Sequence, residues 1–372
     1  MNKSIEKTKF ETVFIDKLEP YNVLMPQIIE TAKKIKENCT DYILEDVPAA
    51  NIEVDDHDNI TFSNLFNNEM TFKTTNTSMR QLCNKLDIPY RSFYQKIRGS
   101  TYCQKEKLAL TKQVLEELAS YYPYGLLIRT YKDTIRAVLS KQYSIYDSDQ
   151  ITKTIDDCFF FSTNVDEFSI AGYINTPEQL QIRFINNNPI LCDETEIYSG
   201  ISISSSDIGE NKLSVSFYIY EDKDKNGICI NVKPGTEDNL YNQKHLGIKS
   251  KQIKHKIIEA LDEFPKLSEN VKEYIKFATY TSLKQSGLYN PKSYNSRIMF
   301  KELNLVNKEI DDFMEILQKS PKTLWGYINA ITNYARTLND INKRTHLENI
   351  AGRILLRPQK YGIRKEEDYA SN

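Results

Sequence analysis

The strongest constraint on the fold is a change of hydrophobic period along the chain. From Gly125 to Lys233 apolar and polar residues alternate in successive short runs: LLIRTY, TIRAVLS, FSIAGYIN, LQIRFINN, EIYSGISISSS, KLSVSFYIY and GICINVK. A period of two sends alternate side chains to opposite faces, so each run predicts a strand with a buried face. Lys132-Asp133 reads as the turn between the first two runs, and Asn226-Gly227 as a hairpin turn before the last. On either side of this region the period becomes helical. Ile28, Ile29, Ala32 and Ile35 predict a helix over 21–38, and Ile253, Ile257, Ile258 and Leu261 predict another over 251–264. Residues 41–72 read as short strands and loops, 77–121 as two or three helices, and the chain beyond 264 as helical to about Leu356. A short helix is expected from Ser148, taken as its cap, to Phe160. Ser320-Pro321 reads as the cap and first turn of the helix carrying Trp325, Ile328, Ile331, Tyr334 and Leu338.

The expected fold is therefore α+β: a central, largely antiparallel sheet with a helical segment before it and a helical C-terminal region. The segments divide as 1–76 (helix and acidic short strands), 77–122 (helical), 123–250 (β-rich) and 251–372 (helical). With 372 residues the chain can close one large core or two to three smaller ones. Twelve Gly and 12 Pro exclude collagen-like or linker-dominated classes, and no apolar run reaches the roughly 20 residues of a membrane span. The N-terminal residues lack a signal-type apolar run, and the six cysteines are far apart without a C-x-x-C pair. Free thiols in the cytoplasm of a bacterial host cell are the expectation.

Charge is strongly segregated beneath a formal net charge of -2. Residues 37–72 hold nine acids and no Lys or Arg, whereas 79–115 hold Arg80, Lys85, Arg91, Lys96, Arg98, Lys105, Lys107 and Lys112 against Asp87 and Glu106. Residues 154–210 are acidic again, with Arg183 the lone basic residue. A second basic block follows at Lys244, Lys249, Lys251, Lys254 and Lys256, and a third in the tail from Lys343 to Lys365. Basic blocks gathered on one face attract phosphates; dispersed, they are the solvated sides of helices.

Within the first block, residues 79–97 have the spacing of a helix-turn-helix, with a break at Asp87-Ile88-Pro89 and a second helix from Tyr90. Tyr90, Arg91, Ser92, Gln95 and Lys96 would then be the exposed, groove-facing set; an ordinary helical hairpin fits the same spacing. Arg129 and Arg136 frame a hairpin and could hold a phosphate together, or Arg136 could serve as the structural partner of a carboxylate such as Asp147. The candidate nucleic-acid contacts are Arg80, Arg91, Gln95, Lys96, Arg98, Arg129, Arg136, Lys249, Lys251, Lys254, Arg353 and Arg357. Tyrosines beside cations, as at Tyr90-Arg91 and Tyr131-Lys132, suit base stacking.

Signals for metal or catalysis are weaker. Asp222 to Gly227 starts like a calcium loop, but Lys233 stands at the twelfth position. Asp55-Asp56-His57-Asp58 reads as a solvated acidic turn, and Glu221-Asp222-Lys223 has a nuclease-like spacing without the preceding Pro-Asp partner. No phosphate-binding glycine loop, H-E-x-x-H or G-x-S-x-G is present. Neither a metal nor a cofactor is expected, and a non-catalytic role is expected over an enzymatic one.

Several segments resemble, in order, the phage/plasmid-like protein family that carries a domain of unknown function. They are LCNKLDIPYRSFYQKI, LLIRTYKDTIRAVLSKQYSIYDSDQI, GISISSSDIGENKLSVSFYIY and LWGYINAITNYA with RTHLENIAGRILL, spanning roughly 78–356. Arg136-Ala137-Val138-Leu139-Ser140 with Tyr143 is the most specific piece. The chain departs from the family where Asp224-Lys225-Asn226-Gly227 replaces Cys-Thr-Asn-Gly and Ser205-Ser206-Asp207 replaces Asn-Ser-Glu. The resemblance implies a mobile-element setting, where replication, recombination or interference with host defence are the usual tasks. The reading reached is a non-catalytic protein that binds DNA, single- or double-stranded, with single-strand binding in recombination or replication as one form of that role. A scaffold or host-defence inhibitor whose acidic faces at 37–72 and 154–210 meet a basic partner is the alternative, and burial of the basic blocks against those acidic segments, within one chain or between subunits, would favour it and self-association.

Overall fold

A computed structural model describes residues 12–13 and 18–361 apart from 56, 58, 66–67, 99–103, 193–194, 222–225, 231–240, 244–249 and 339. The fold is α+β, built on two sheets. In the large sheet the strands run Thr12–Val13, Phe168–Asn175, Gln179–Asn186, Thr195–Ser206, Leu213–Glu221 and Asn226–Ile230, all antiparallel to their neighbours. Glu19–Pro20, Ile190–Cys192 and Tyr241–Gln243 pair along its margins. The small sheet runs Cys39–Leu44, Leu126–Tyr131, Thr134–Ser140, Asn68–Thr74, Ile60–Leu65 and Ile52–Val54. Among the described residues its one parallel pairing joins Asn68–Thr74 to Thr134–Ser140.

Each sheet has its own core. Ile182, Phe184, Ile201, Ile203, Val215 and Phe217 lie on one face of the large sheet, covered by the helices Tyr21–Glu37, Ser148–Ser162 and Ser250–Tyr280. The residues between them, Gln181, Arg183, Ser202, Ser204, Ser214 and Ser216, lie on the opposite face, which also carries the small buried cluster of Ala171, Ile185, Tyr218 and Tyr220. The helices Leu324–Arg336 and Ile341–Leu356 pack at the Asn226–Ile230 edge and complete the large core. The second core joins Ile60, Phe62, Phe72, Leu126, Ile128, Ile135 and Val138 to the helices Asn76–Lys85 and Gln104–Ser120 through Met79, Leu82 and Leu115. The segments separated by sequence at 76/77 and 122/123 thus share one core, because the Leu126–Ser140 hairpin belongs to the small sheet.

Several sequence-based boundaries move. Asp147, not Ser148, is the N-cap residue of the helix Ser148–Ser162, and the Ser148 hydroxyl is turned to Asp207. Thr323, not Ser320, caps Leu324–Arg336: Thr323 Oγ1 accepts from the Gly326 N–H at 3.1 Å, while Ser320 closes the preceding helix Asn307–Lys319. Asn226 and Gly227 pair with Glu221 and Tyr220 and so begin the returning strand; the turn itself lies outside the described residues. A side chain at Gly227 would meet the Tyr218 hydroxyl at 2.0 Å, which explains the glycine without a turn. Cys39, Cys83, Cys158 and Cys192 are free thiols. Among the described residues no helix is long and apolar enough to cross a membrane.

Candidate functional site

The two cores meet on a buried charged junction. Arg129, fully buried in the strand Leu126–Tyr131, lies opposite Asp41 in the register of the small sheet. Its Nε donates to Asp41 Oδ1 at 2.8 Å, its Nη2 to Asp147 at 2.6 Å, and its Nη1 to the Asp207 carbonyl at 2.5 Å. Lys36, in the last turn of the helix Tyr21–Glu37, adds a 2.7 Å bond to Asp147. The Ser148 N–H and hydroxyl donate to the Asp207 carboxylate, tying the start of Ser148–Ser162 to the end of Thr195–Ser206. One cluster therefore holds together both sheets and two helices.

Electrostatics divide the two aspartates of the junction. Burial opposes ionisation of Asp147, but Arg129 and Lys36 outweigh it and hold its pKa below the ordinary carboxylate value. Asp207 is pushed up to about 6 by burial and then by the Asp147 charge, against the pull of Arg136 and Arg129. Burial would lower the Arg129 pKa, yet Asp41 and Asp147 raise it.

Arg136 reaches the junction through a backbone irregularity. Arg129 pairs with Ala137 and Thr130 with Ile135, leaving Arg136 as the extra residue of a β-bulge. A bulge re-aims one side chain without breaking the sheet. Arg136 is thereby turned away from Ile135 and Val138 of the small core and is 2% exposed. Its Nη1 donates to the Pro177 carbonyl and lies 3.6 Å from Asp207 Oδ2.

Arg129 and Arg136 are thus corrected as surface phosphate contacts: they share a face, as their spacing suggested, but that face is buried against aspartates. Arg80 is half-buried and bonds Glu210 at 2.5 Å. Arg91, Gln95 and Lys96 are exposed, on the segment following the break at Asp87, whose φ of 55° takes the left-handed conformation often given to glycine. That segment is not the regular second helix of the expected motif. Tyr90–Gln95 is a π-helical turn in which the N–H groups of Phe93 and Tyr94 both reach the Pro89 carbonyl, followed by one α-turn, Lys96–Arg98. Tyr90 stacks on the buried Tyr94 at 5.9 Å. Lys251 and Lys254 begin the long helix Ser250–Tyr280, and Arg353 and Arg357 end Ile341–Leu356. Of these, Lys251 and Arg353 are exposed, and Lys254 lies 3.9 Å from Asp157. The side chain of Arg98, and Lys249 altogether, lie outside the described residues. The contacts expected from sequence are consequently spread over the π-turn segment, the start of one helix and the end of another.

Two residues not anticipated join this set. Phe160 and Phe161, in the last turn of Ser148–Ser162, are 70% and 73% exposed, with ring centroids 5.3 Å apart. Lys254 Nζ stands 5.4 Å from the Phe161 ring. Their signal was present: Ile151, Ile155, Cys158 and Phe159 make the buried stripe, and the next two phenylalanines fall off it.

The acidic loop at 55–58 serves its own backbone, Asp55 Oδ1 accepting from the N–H groups of His57 at 2.8 Å and Asn59 at 2.9 Å; Asp56 and Asp58 lie outside the described residues. Glu221, considered for nuclease chemistry, is buried and accepts from Asn329 at 3.0 Å. Comparison of the chain with protein-family models, curated proteins and solved structures returns no match.

Proposed function

We propose that the protein binds single-stranded nucleic acid without acting on it chemically, with the corner formed by the helices Ser148–Ser162 and Ser250–Tyr280 as a stacking surface. The observation that carries this is the exposed Phe160–Phe161 pair with Lys254 against one ring and Lys251 one turn earlier on the same helix. Bases stack on exposed aromatic rings whatever their sequence, while adjacent cations follow the phosphates. Arg91, Gln95 and Lys96 supply a second exposed polar and basic segment. A mobile-element role in replication or recombination rests on the sequence resemblance alone.

A second reading is favoured by the ion pairs Arg80–Glu210 and Lys254–Asp157, in which cations and acids from opposite blocks neutralise one another. It makes the Phe pair a contact for a protein partner.

Fluorescence anisotropy with labelled single- and double-stranded oligonucleotides across a salt series separates the two. Single strands should bind more tightly, with affinity falling as salt rises. Replacing both Phe160 and Phe161 by Ala should weaken binding about tenfold or more, since each base stack is worth about 1–3 kcal/mol. Absence of binding at low salt, or an unchanged affinity in the double variant, would overturn the stacking reading.

A further inference from the structure

In the large sheet Ile174, Gln181, Ser204 and Ser214 stand opposite one another in register and form one row across four strands. A helix laid on a sheet ordinarily meets it with an apolar stripe. Over this row the helix Ile341–Leu356 instead presents Asn342, Thr345, His346 and Asn349, which share a face at spacings of three and four residues. Between the row and that face lies a cleft of about 630 Å³, a size that takes a small organic ligand. One row further along the sheet, Arg183 is bonded to Glu348 at 2.5 Å and anchors the helix beside the cleft.

The groups facing the cleft are open to it and are mostly amides and hydroxyls. Asn342 and His346 are exposed, and Ser204, Ser214, Thr345 and Asn349 are half-buried. The Ser204 and Ser214 hydroxyls share one hydrogen bond at 2.8 Å, which leaves each with further acceptor capacity. Among the described residues the side chains of Asn342, Thr345 and Asn349 take part in no hydrogen bond. Two amides and a hydroxyl on one helix face thus stand ready with donors and acceptors, opposite a row of hydroxyls. Charge at the rim is balanced: Glu178 and Lys212 are of opposite sign, and Glu210 is answered by Arg80 at 2.5 Å. Among its described residues the wall holds no Phe, Tyr or Trp on which a base could stack. A ligand that suits such a wall is uncharged and carries many groups that both donate and accept, which describes a sugar. A charged ligand would lose its hydration there without gaining a counter-charge.

We propose that this cleft binds a neutral disaccharide, whose hydroxyls bridge the Asn342–Asn349 face of the helix and the Ser204–Ser214 row of the sheet. The site is distinct from the Phe160–Phe161 surface and does not rest on nucleic-acid binding.

Isothermal titration of the full chain with maltose, cellobiose, lactose and diacetylchitobiose tests it, with glucose 6-phosphate and uridine as controls. At least one disaccharide should bind saturably, more tightly than either control, with a Kd that stays constant across a salt series because no charge is engaged. Asn349→Ala and Ser214→Ala should each raise that Kd about fivefold, the effect of one lost hydrogen bond. Thr345→Phe, which fills the cleft, should abolish binding while circular dichroism stays unchanged. No saturable heat from any of the disaccharides, tighter binding of glucose 6-phosphate or uridine, an affinity that falls with salt, or a Kd indifferent to both alanine variants would each overturn the assignment. Should Thr345→Phe fail to fold, the two alanine variants still decide.

Discussion

Arg129 concentrates the interactions that join the two cores, and its removal leaves Asp41 and Asp147 without their principal buried partner. Breaking such a pair from one side costs about 3–5 kcal/mol, more than its net contribution when intact. Arg129→Met should lower the free energy of unfolding by that amount in urea melts, and a loss below about 1 kcal/mol would show the junction to be hydrated rather than dry. The aspartates should respond oppositely to pH. Asp207 holds its proton more tightly folded than unfolded, since its pKa rises from 3.8 to about 6, so its contribution to stability falls as pH climbs through that window. Asp147 is shifted down, so it stabilises above its unfolded pKa and that gain is lost on acidification. Between pH 4 and 7 the variant Asp207→Asn should therefore gain on the parent chain as pH rises, whereas the deficit of Asp147→Asn should shrink on acidification below about pH 4. Parallel stability curves for all three proteins would refute the assignment. Sequence alone placed Arg129 and Arg136 on one face and offered Asp147 as a carboxylate partner for Arg136; the residue that bonds Asp147 is Arg129. Sequence could not show that this face is buried, because strand alternation is blind to a bulge and to which element covers the sheet.

At the scale of elements, periodicity was enough wherever one face is dry. The alternating runs from Leu126 to Tyr220 all became strands, and Ile28, Ala32 and Ile35 face the core as their spacing requires. Ends were harder to read, since a cap is defined by where the chain turns rather than by residue type. Ser320-Pro321 has the composition of a helix start, yet the helix begins after Thr323. A side chain at Gly326 would meet the Pro321 carbonyl at 2.1 Å, so the chain doubles back tightly just before the helix. Thr323→Ala should accordingly cost about 1 kcal/mol in chemical denaturation, whereas Ser320→Ala should stay within about 0.5 kcal/mol. The reverse order would restore the boundary suggested by composition. The second half of the expected helix-turn-helix failed for a related reason: after Pro89 the backbone opens into i→i+5 bonding, which residue type does not announce.

For the whole molecule, the sequence conveyed two kinds of structure but not their nesting. The helix Tyr21–Glu37 belongs to the large core, residues 39–140 form the small one, and the chain then returns to the large core at Tyr146. Because the junction ties the two together, calorimetry should give one transition for the parent chain and two resolved transitions for Arg129→Met. A single transition in both would mean that the cores are coupled elsewhere. The nesting also bears on the order of events during synthesis. Every strand and helix of the small core has left the ribosome well before residue 168, whereas Leu24, Met25 and Ile28 pack in a core that also needs Phe168, Ile182 and residues beyond 320. The helix Tyr21–Glu37, made before the small core, is thus placed only after it, carrying an uncovered apolar stripe while residues up to about 320 are added. Its early shelter, whether from a chaperone or from the tunnel mouth, is the point at which production of this chain is most exposed to failure.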